Sequence, residues 1–268
     1  MFRLPAVAGT FYPGSPRELS SLIAQYTQYD TAHPPSLYRA CLVPHAGYVY
    51  SGAVAGAVFA RIMFPKRIIV LGVRHFPHGE DAAIVSSGAW RTPLGDAPID
   101  AALAAQIAQL CPALREDPVA HQNEHSLEVQ IPFLQQLNPG FAFVPIALGT
   151  LDFNILASVG QSLAKVLSAY NDVFLLTTTD LNHYEDEATT RRKDALAIEK
   201  ILALDPPGLL DACRRNKISM CGLGPTITLL TALHQIGATG VELVQHTTSA
   251  LYSGDTRKVV GYAGFLFS

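Results

Sequence analysis

Two patterns alternate along this chain. Short apolar or β-branched runs, such as RIIVLG at Arg67 to Gly72 and DVFLLTTT at Asp172 to Thr179, are separated by longer stretches with apolar residues at helical spacing. The short runs predict strands over Arg39–Val43, Arg67–Leu71, Ala82–Ser86, Phe141–Ala147, Asp172–Thr178, Val241–Thr247 and Lys258–Phe267. The longer ones predict helices over Pro16–Tyr26, Gly52–Met63, Ala101–Leu110, Ser126–Leu137, Phe153–Tyr170, Glu187–Leu204, Pro207–Arg214 and Pro225–Gln235. Such alternation is the pattern of an α/β domain with helices on the faces of a sheet. Several strand runs lack a polar residue at every second position, which fits strands covered on both sides and predicts a central mixed, largely parallel sheet. In open sheets of this kind the ligand crevice lies beyond the carboxyl ends of the strands, so polar residues just after a strand carry extra functional weight. The segment Tyr29–Ser36 reads as a connection after the first helix, and no repeat, low-complexity linker or charge block divides the chain. One domain over residues 1–268 is expected.

Composition narrows the function. Hydrophobic residues make up 49% of the 268 positions and charged residues 15%, which suits a compact globular protein and leaves little room for long disorder. The 19 Lys and Arg against 22 Asp and Glu give a net charge of −3 with no basic block, so a nucleic-acid footprint is absent. The N-terminal MFRLPAVAGTFYPGS has no apolar h-region, and no run approaches the ~18 apolar residues of a membrane span. Four scattered cysteines, Cys41, Cys111, Cys213 and Cys221, form neither a C-x-x-C pair nor a disulfide framework. A reduced, cytoplasmic protein is the expectation.

Candidate chemistry gathers at strand ends. His45 follows the strand ending at Val43, His75 and His78 follow the one ending at Leu71, and Asp180 and His183 follow the one ending at Thr178. A single polar residue at a strand mouth is more often solvated or hydrogen-bonded than catalytic. If the three strands are parallel neighbours, however, these side chains converge on one crevice. Cys221 lies a few residues ahead of a helix whose first turn is marked by Pro225. Near the positive end of a helix dipole a thiol is a candidate ligand or nucleophile, while a small buried hydrophobe is the plain alternative.

His121-Gln122-Asn123-Glu124-His125 matches H-x-x-E-H, a zinc-peptidase pattern that requires one continuous helix. The apolar periodicity begins only at Leu127, so a helix starting near Ser126 leaves His121 in the preceding loop and disfavours a peptidase. His33, His234 and His246 have no chemical neighbours in sequence, and Arg191-Arg192-Lys193 reads as a solvated helix face. No phosphate-binding glycine motif and no G-x-S-x-G elbow is present, which argues against nucleotide binding and serine hydrolysis.

The ordered segments LPAVAGTFYP, PHAGYVYSG, LGVRH, WRTPLGD, EHSLEVQIPFL, TTTDLNHY, CGLGP and VVGYAGF resemble the Memo family, whose bacterial and archaeal branch is called AmmeMemoRadiSam system protein B. The likeness runs from about Leu4 to the C-terminus. It implies a fold like that of the class III extradiol dioxygenases, with an active-site pocket at the strand ends. By the same resemblance the metal ligands are His45, His75 and Cys221, with Asp180 as a fourth ligand or an orienting group. His125, His183 and Asp180 become the catalytic candidates, with His183 or His125 as general acid or base. Tyr48, Arg74, Glu124 and Tyr184 are the candidate pocket residues. The family's GPSHH is GVRHF here, so Phe76 replaces a histidine and Arg74 stands beside His75, ready for an anion or a salt bridge.

A thiolate in place of the dioxygenase carboxylate is a softer ligand, which shifts the metal expectation to iron or copper with zinc as a further option, and ring cleavage does not follow from the fold. The resemblance therefore implies a metal-dependent redox enzyme acting on an unknown small molecule. Its alternative is a non-catalytic module that binds peptide or protein, in association with radical-SAM and AMMECR-like partners.

Overall fold

The doubly covered runs make the middle of the sheet. The computed structural model describes residues 2–28 and 30–268, so Tyr29 of the expected connection lies outside the described residues. In chain order the first elements are β1 (Phe2–Arg3), α1 (Pro16–Tyr26), β2 (Ala40–Val43), α2 (Tyr48–Phe59), β3 (Arg67–Val73) and β4 (Ala82–Ile84). A hairpin, β5 (Ala89–Thr92) and β6 (Gly95–Pro98), precedes α3 (Ala101–Leu110), β7 (Arg115–Glu116) and the single turn α4 (Val119–Gln122). A 3₁₀ turn at Glu128–Gln130 runs into α5 (Ile131–Leu137), followed by β8 (Ala142–Leu148), α6 (Phe153–Ala169), β9 (Val173–Thr178) and β10 (His183–Glu185). The chain closes with α7 (Glu187–Leu202), α8 (Pro206–Asn216), α9 (Leu223–Gln235), β11 (Val241–Thr248), α10 (Ala250–Ser253) and β12 (Val259–Phe267).

The main sheet has the order β10-β12-β2-β9-β3-β8-β4-β7, with β11 also paired to β12. Strands β2, β9, β3 and β8 are mutually parallel, while β12 and β4 join this centre antiparallel. The result is a single α/β domain on a mixed, largely parallel sheet. Period-two alternation sorts its side chains. Ala40, Leu42, Ile69, Leu71 and Leu175 point into one apolar layer with α3 and α6 to α9, whereas Cys41, Val43, Ile68, Val70, Phe174 and Leu176 join α1, α2 and α5 on the other face. Each fully buried Leu or Ile contributes about 1.5–3 kcal/mol, so both layers hold the sheet rigid beneath the strand ends.

Several expected boundaries move, each for a visible reason. Helix α2 spans Tyr48–Phe59 in place of Gly52–Met63. Its start was hidden because GYVYSG mixes glycine with β-branched and aromatic residues, all poor helix formers, yet the Tyr48 ring packs on Tyr12 and Phe133. Its end comes early because Arg61 and Met63 pair through their backbones with Ser36. The helix expected from Ser126 begins at Ile131 after the 3₁₀ turn, and His121 sits in α4 instead of a loop. The hairpin β5–β6 was unreadable because Pro93 and Pro98 in WRTPLGDAP demote the segment as a strand. No described helix is long and apolar enough to cross a membrane.

Candidate metal centre

Because β2, β9 and β3 are adjacent and parallel, their carboxyl ends open on the same side. His45, Asp180 and His75 each stand two residues beyond the last residue of their strand. They meet in a cavity of ≈ 540 Å³ whose wall also includes His125, His183 and Cys221. Cys221 arrives from the other direction, on the loop before α9. That loop is pressed onto the β9 end at Gly222, where a Cβ would lie 2.5 Å from the Thr178 carbonyl oxygen. Only glycine permits this approach. The Gly222 N–H then donates to Thr179 Oγ1 at 2.9 Å and the Asp180 N–H donates to Cys221 Sγ at 3.3 Å, which locks the sulfur against β9.

The donor group at the floor is His45, His75 and Cys221, whose ligand atoms lie within 4.8 Å of one another. His45 Nε2 is 3.1 Å from Cys221 Sγ, and its Nδ1 is 2.8 Å from Thr178 Oγ1. With the Nδ1 proton donated to Thr178, Nε2 presents a lone pair to the cavity. Gln130 steadies this corner by donating from Nε2 to Thr178 Oγ1 at 3.3 Å and to the Pro44 carbonyl at 3.0 Å.

His75 is fixed by Glu124. Its backbone N–H reaches Glu124 Oε2 at 2.6 Å and its Nδ1 reaches Oε1 at 2.9 Å, so Nε2 is the free nitrogen. Ser126 places the carboxylate: its N–H donates to Glu124 Oε1 at 2.8 Å, while its hydroxyl bonds both the N–H and the carbonyl of Val73 at the end of β3. Carboxylate-to-imidazole orientation of this sort is the usual support of a metal-binding histidine. Glu124, His75 and His125 also stand close enough to form a three-donor group, but Glu124 has no exposed surface and its oxygens are taken up by these bonds.

Burial governs the electrostatics. It holds His45 well below the usual imidazole range, helped by His75, His125 and His183. It also pushes the Cys221 thiol up, with neighbouring Asp180 adding to the rise. The helix-end position therefore does not yield a thiolate by itself; the His45 and Cys221 pair is neutral until a cation compensates the sulfur. Burial raises Asp180 to about 7 against the pull of the His45 N–H, and brings His125 down to about 4. Burial alone would raise Glu124 too, but the hydrogen bond and charge of His75 outweigh it and leave the carboxyl at about 2.

The structure brings together His45, His75, Cys221, Asp180, His125 and His183, with Tyr184 and Phe11 at the cavity wall. It does not bring in the other three proposed pocket residues. Tyr48 belongs to the core, because its hydroxyl donates to the Val129 carbonyl at 2.7 Å and its ring is enclosed by aromatics. Arg74 turns away to Asp81 at 2.5 Å, so the salt bridge and not the anion accounts for it. Glu124 lies behind His75 as its anchor. The H-x-x-E-H segment is not one helix: α4 ends at Gln122, and buried His121 is held by the Asp117 carbonyl at 3.0 Å, away from His125. The supporting residues Thr178, Gln130, Ser126, Asn182 and Ser219 had no role from sequence alone. Each lies within a few residues of a histidine, aspartate or cysteine already singled out, and that proximity was the available signal.

The donors fit the metal that the family resemblance implies: two imidazoles with their outer nitrogens already bonded, and a sulfur whose proton only a cation would displace. A family model described as Memo-like protein matches residues 3–266. A MEMO1 family protein of Methanopyrus kandleri is 38% identical over 280 residues, covering 100% of this chain and 99% of its own length. Another, from Caldivirga maquilingensis, is 37% identical over 99% of this chain and 98% of its own. Among solved structures, an uncharacterized protein from Escherichia coli K12 superposes with a TM-score of 0.55 over 84% of this chain and 98% of its own, at 12% identity, a likeness of fold alone. With the family pattern matched from the third residue to within two of the last, the chain belongs to the Memo-like family.

Proposed function

We propose that this protein is a metal-dependent redox enzyme of dioxygenase-like fold, holding non-haem iron or copper on His45, His75 and Cys221. The observation that carries the reading is the convergence of these donors within 4.8 Å from three distant parts of the chain. An N₂S set with a thiolate suits copper(I), zinc or thiolate-bound iron, and of these iron and copper supply one-electron chemistry when bound. The chain's own groups have complementary tasks. His125, held at about 4 by burial, is a neutral acceptor near neutral pH, and Asp180 stands against Cys221 as a further ligand or an orienting group. Phe11, Val260, Tyr262 and Tyr184 give the cavity an apolar and aromatic wall. No Lys or Arg is among the described residues lining it, so the substrate's anchor is its own donor atom or its apolar body.

The alternative of an anionic-peptide module draws no support from the cavity, since Arg74 is engaged by Asp81. Cytoplasmic residence and action beside radical-SAM and AMMECR-like partners belong to the proposal through family resemblance. Metal analysis of anaerobically purified protein is the test. Wild type retains stoichiometric iron or copper, and His45→Ala and Cys221→Ser lose most of it; full retention by both variants defeats the assignment. Electron paramagnetic resonance during a reduction and reoxidation cycle tests the redox part. A loaded protein whose metal never changes oxidation state defeats that part.

A further inference from the structure

We propose that the cavity holds a pair of divalent first-row cations, with the second carried by Asp180, His183 and Cys221 and the cysteine sulfur shared between the two sites. The inference rests on the proposed His45, His75 and Cys221 site and adds a neighbour to it. Asp180, His183 and Cys221 also place their ligand atoms within 4.8 Å of one another. Among the described residues, Asp180 groups with His183 and Cys221 and not with His45 and His75. A carboxylate at this position is therefore better placed to serve a second ion than to complete the first.

Three further observations support a built site. His183 lines the cavity, and its ring Nδ1 is buried against the backbone of Leu181 and Ser219 without a well-formed hydrogen bond, so the ring is held between the two loops and not in solvent. The two loops that supply the donors are stapled together: Asn182 Oδ1 accepts from the Ser219 N–H at 3.1 Å and hydroxyl at 3.2 Å, while the His183 N–H donates to Ser219 Oγ at 2.8 Å. Asn182 is itself fully buried, and its N–H donates to buried Asp194 at 3.0 Å, so the spacing of His183 and Cys221 is imposed by the fold. The donor set can also develop the charge that two cations require. Once cations bind, the Cys221 thiolate and the Asp180 carboxylate add their negative charges to that of Glu124 behind His75, in and behind a cavity with no Lys or Arg among its described lining residues. The first set is the softer, with two imidazoles and sulfur. The second, with a carboxylate oxygen, is the harder.

Anaerobic equilibrium dialysis of the full chain against Co²⁺, with the sulfur-to-cobalt absorption recorded in parallel, tests this. Wild type is expected to bind two cobalt ions. His183→Ala and, separately, Asp180→Asn are expected to bind one that keeps the sulfur absorption, and His75→Ala is expected to bind one as well. Asp180→Asn preserves side-chain shape and His183 is only half-buried, so loss of fold in one variant leaves the other to decide; circular dichroism identifies such a loss. If wild type binds a single ion that His75→Ala removes and His183→Ala does not, the second site is wrong and the first stands. A single ion removed by His183→Ala but not by His75→Ala overturns the first site and with it the pair, and a wild type that binds none overturns both assignments. Two ions that survive both the His183 and Asp180 substitutions also overturn the second site.

Discussion

Two buried polar clusters lie back to back in this protein, and only one of them turns a set of metal-ligand atoms toward a cavity. Around Arg3, the guanidinium and the Glu128 carboxylate are held by other protein groups, and the polar atoms left without a partner, Trp90 Nε1 and His121 Nε2, belong to the uncharged rings beside them. The guanidinium gives Nε to the His121 carbonyl, one terminal nitrogen to Glu128 Oε2 and the other to the Glu124 carbonyl, each at 2.7 Å, and its plane lies over the Trp90 ring. Glu128 also accepts from the N–H groups of Ala6 and Val7 and from the Tyr12 hydroxyl at 2.7 Å. Around His45, by contrast, the outer nitrogens of His45 and His75 are satisfied, while His45 Nε2 meets only the Cys221 sulfur and His183 Nδ1 has no hydrogen-bond partner. A cluster whose charged groups are all engaged is a strut, whereas one whose ligand atoms are bonded only on their outer side is a site. Glu124 joins the two, its carbonyl held by Arg3 and its carboxylate by His75.

The strut should show the largest effect, and on stability. Glu128→Gln removes one partner of an ion pair with almost no exposed surface and leaves Arg3 charged and uncompensated, which costs about 3–5 kcal/mol. Urea unfolding at neutral pH measures it. Cobalt affinity of the protein that remains folded should fall less than about tenfold, below the loss typical of direct support to a ligand. A small stability change with abolished metal binding would erase the distinction between the clusters.

Much of this contrast was legible in the chain and part of it was not, for reasons that particular residues make plain. The apolar runs at Arg67–Leu71 and Asp172–Thr178 pointed to covered parallel strands, and with the strand at Arg39–Val43 beside them His45, His75 and Asp180 fall on one edge, as the pairing of β2, β9 and β3 bears out. Arg3 carried no signal, because β1 is two residues long and its partner strand sits in a proline-punctuated hairpin. Tyr48 misled for the opposite reason: it is next to the histidine motif in sequence, but helix phase turns it into the core. Glu124 was read as a pocket residue because sequence gives adjacency and not direction, and it takes the Ser126 clip on Val73 to aim its carboxylate at His75 from behind.

The supports of the open cluster come next in size. Glu124→Gln keeps shape but removes the charge that orients His75, and should weaken binding of a single cobalt ion by about 10–100-fold. Thr178→Val removes the acceptor at His45 Nδ1 and should cost about tenfold, at the lower end of the same range. Competition against a chelator of known affinity reads both. If Thr178→Val exceeds Glu124→Gln, the neutral hydroxyl and not the carboxylate dominates the orientation of the site, and the order of importance argued from charge reverses.

The smallest expected effect belongs to a third arrangement, a carboxylate engaged by its neighbours like that of the strut but nearer the surface. Asp117 accepts from the Glu80 N–H at 2.6 Å and the Val119 N–H at 2.8 Å, tying the loop after His75 to the start of α4. Burial works against its charge, but these backbone donors, with that of Ala120, prevail and hold the carboxyl below its ordinary value. A depressed folded-state value means that the charged form stabilises the protein above the unfolded value, about 3.9, and that this contribution is lost as pH falls through the folded value. Asp117→Asn should therefore cost about 1 kcal/mol at pH 7, the scale of a lost helix-end acceptor. The gap between variant and wild type should close as the acid range is entered, because wild type then gives up the same interaction. Urea unfolding of both proteins at neutral pH and near pH 3 measures this, and a gap that persists unchanged at low pH would mean that Asp117 acts through its shape alone. Cobalt affinity should not change in this variant, since the loop it braces departs from the site beyond His75; a loss there would extend the open cluster's support as far as α4.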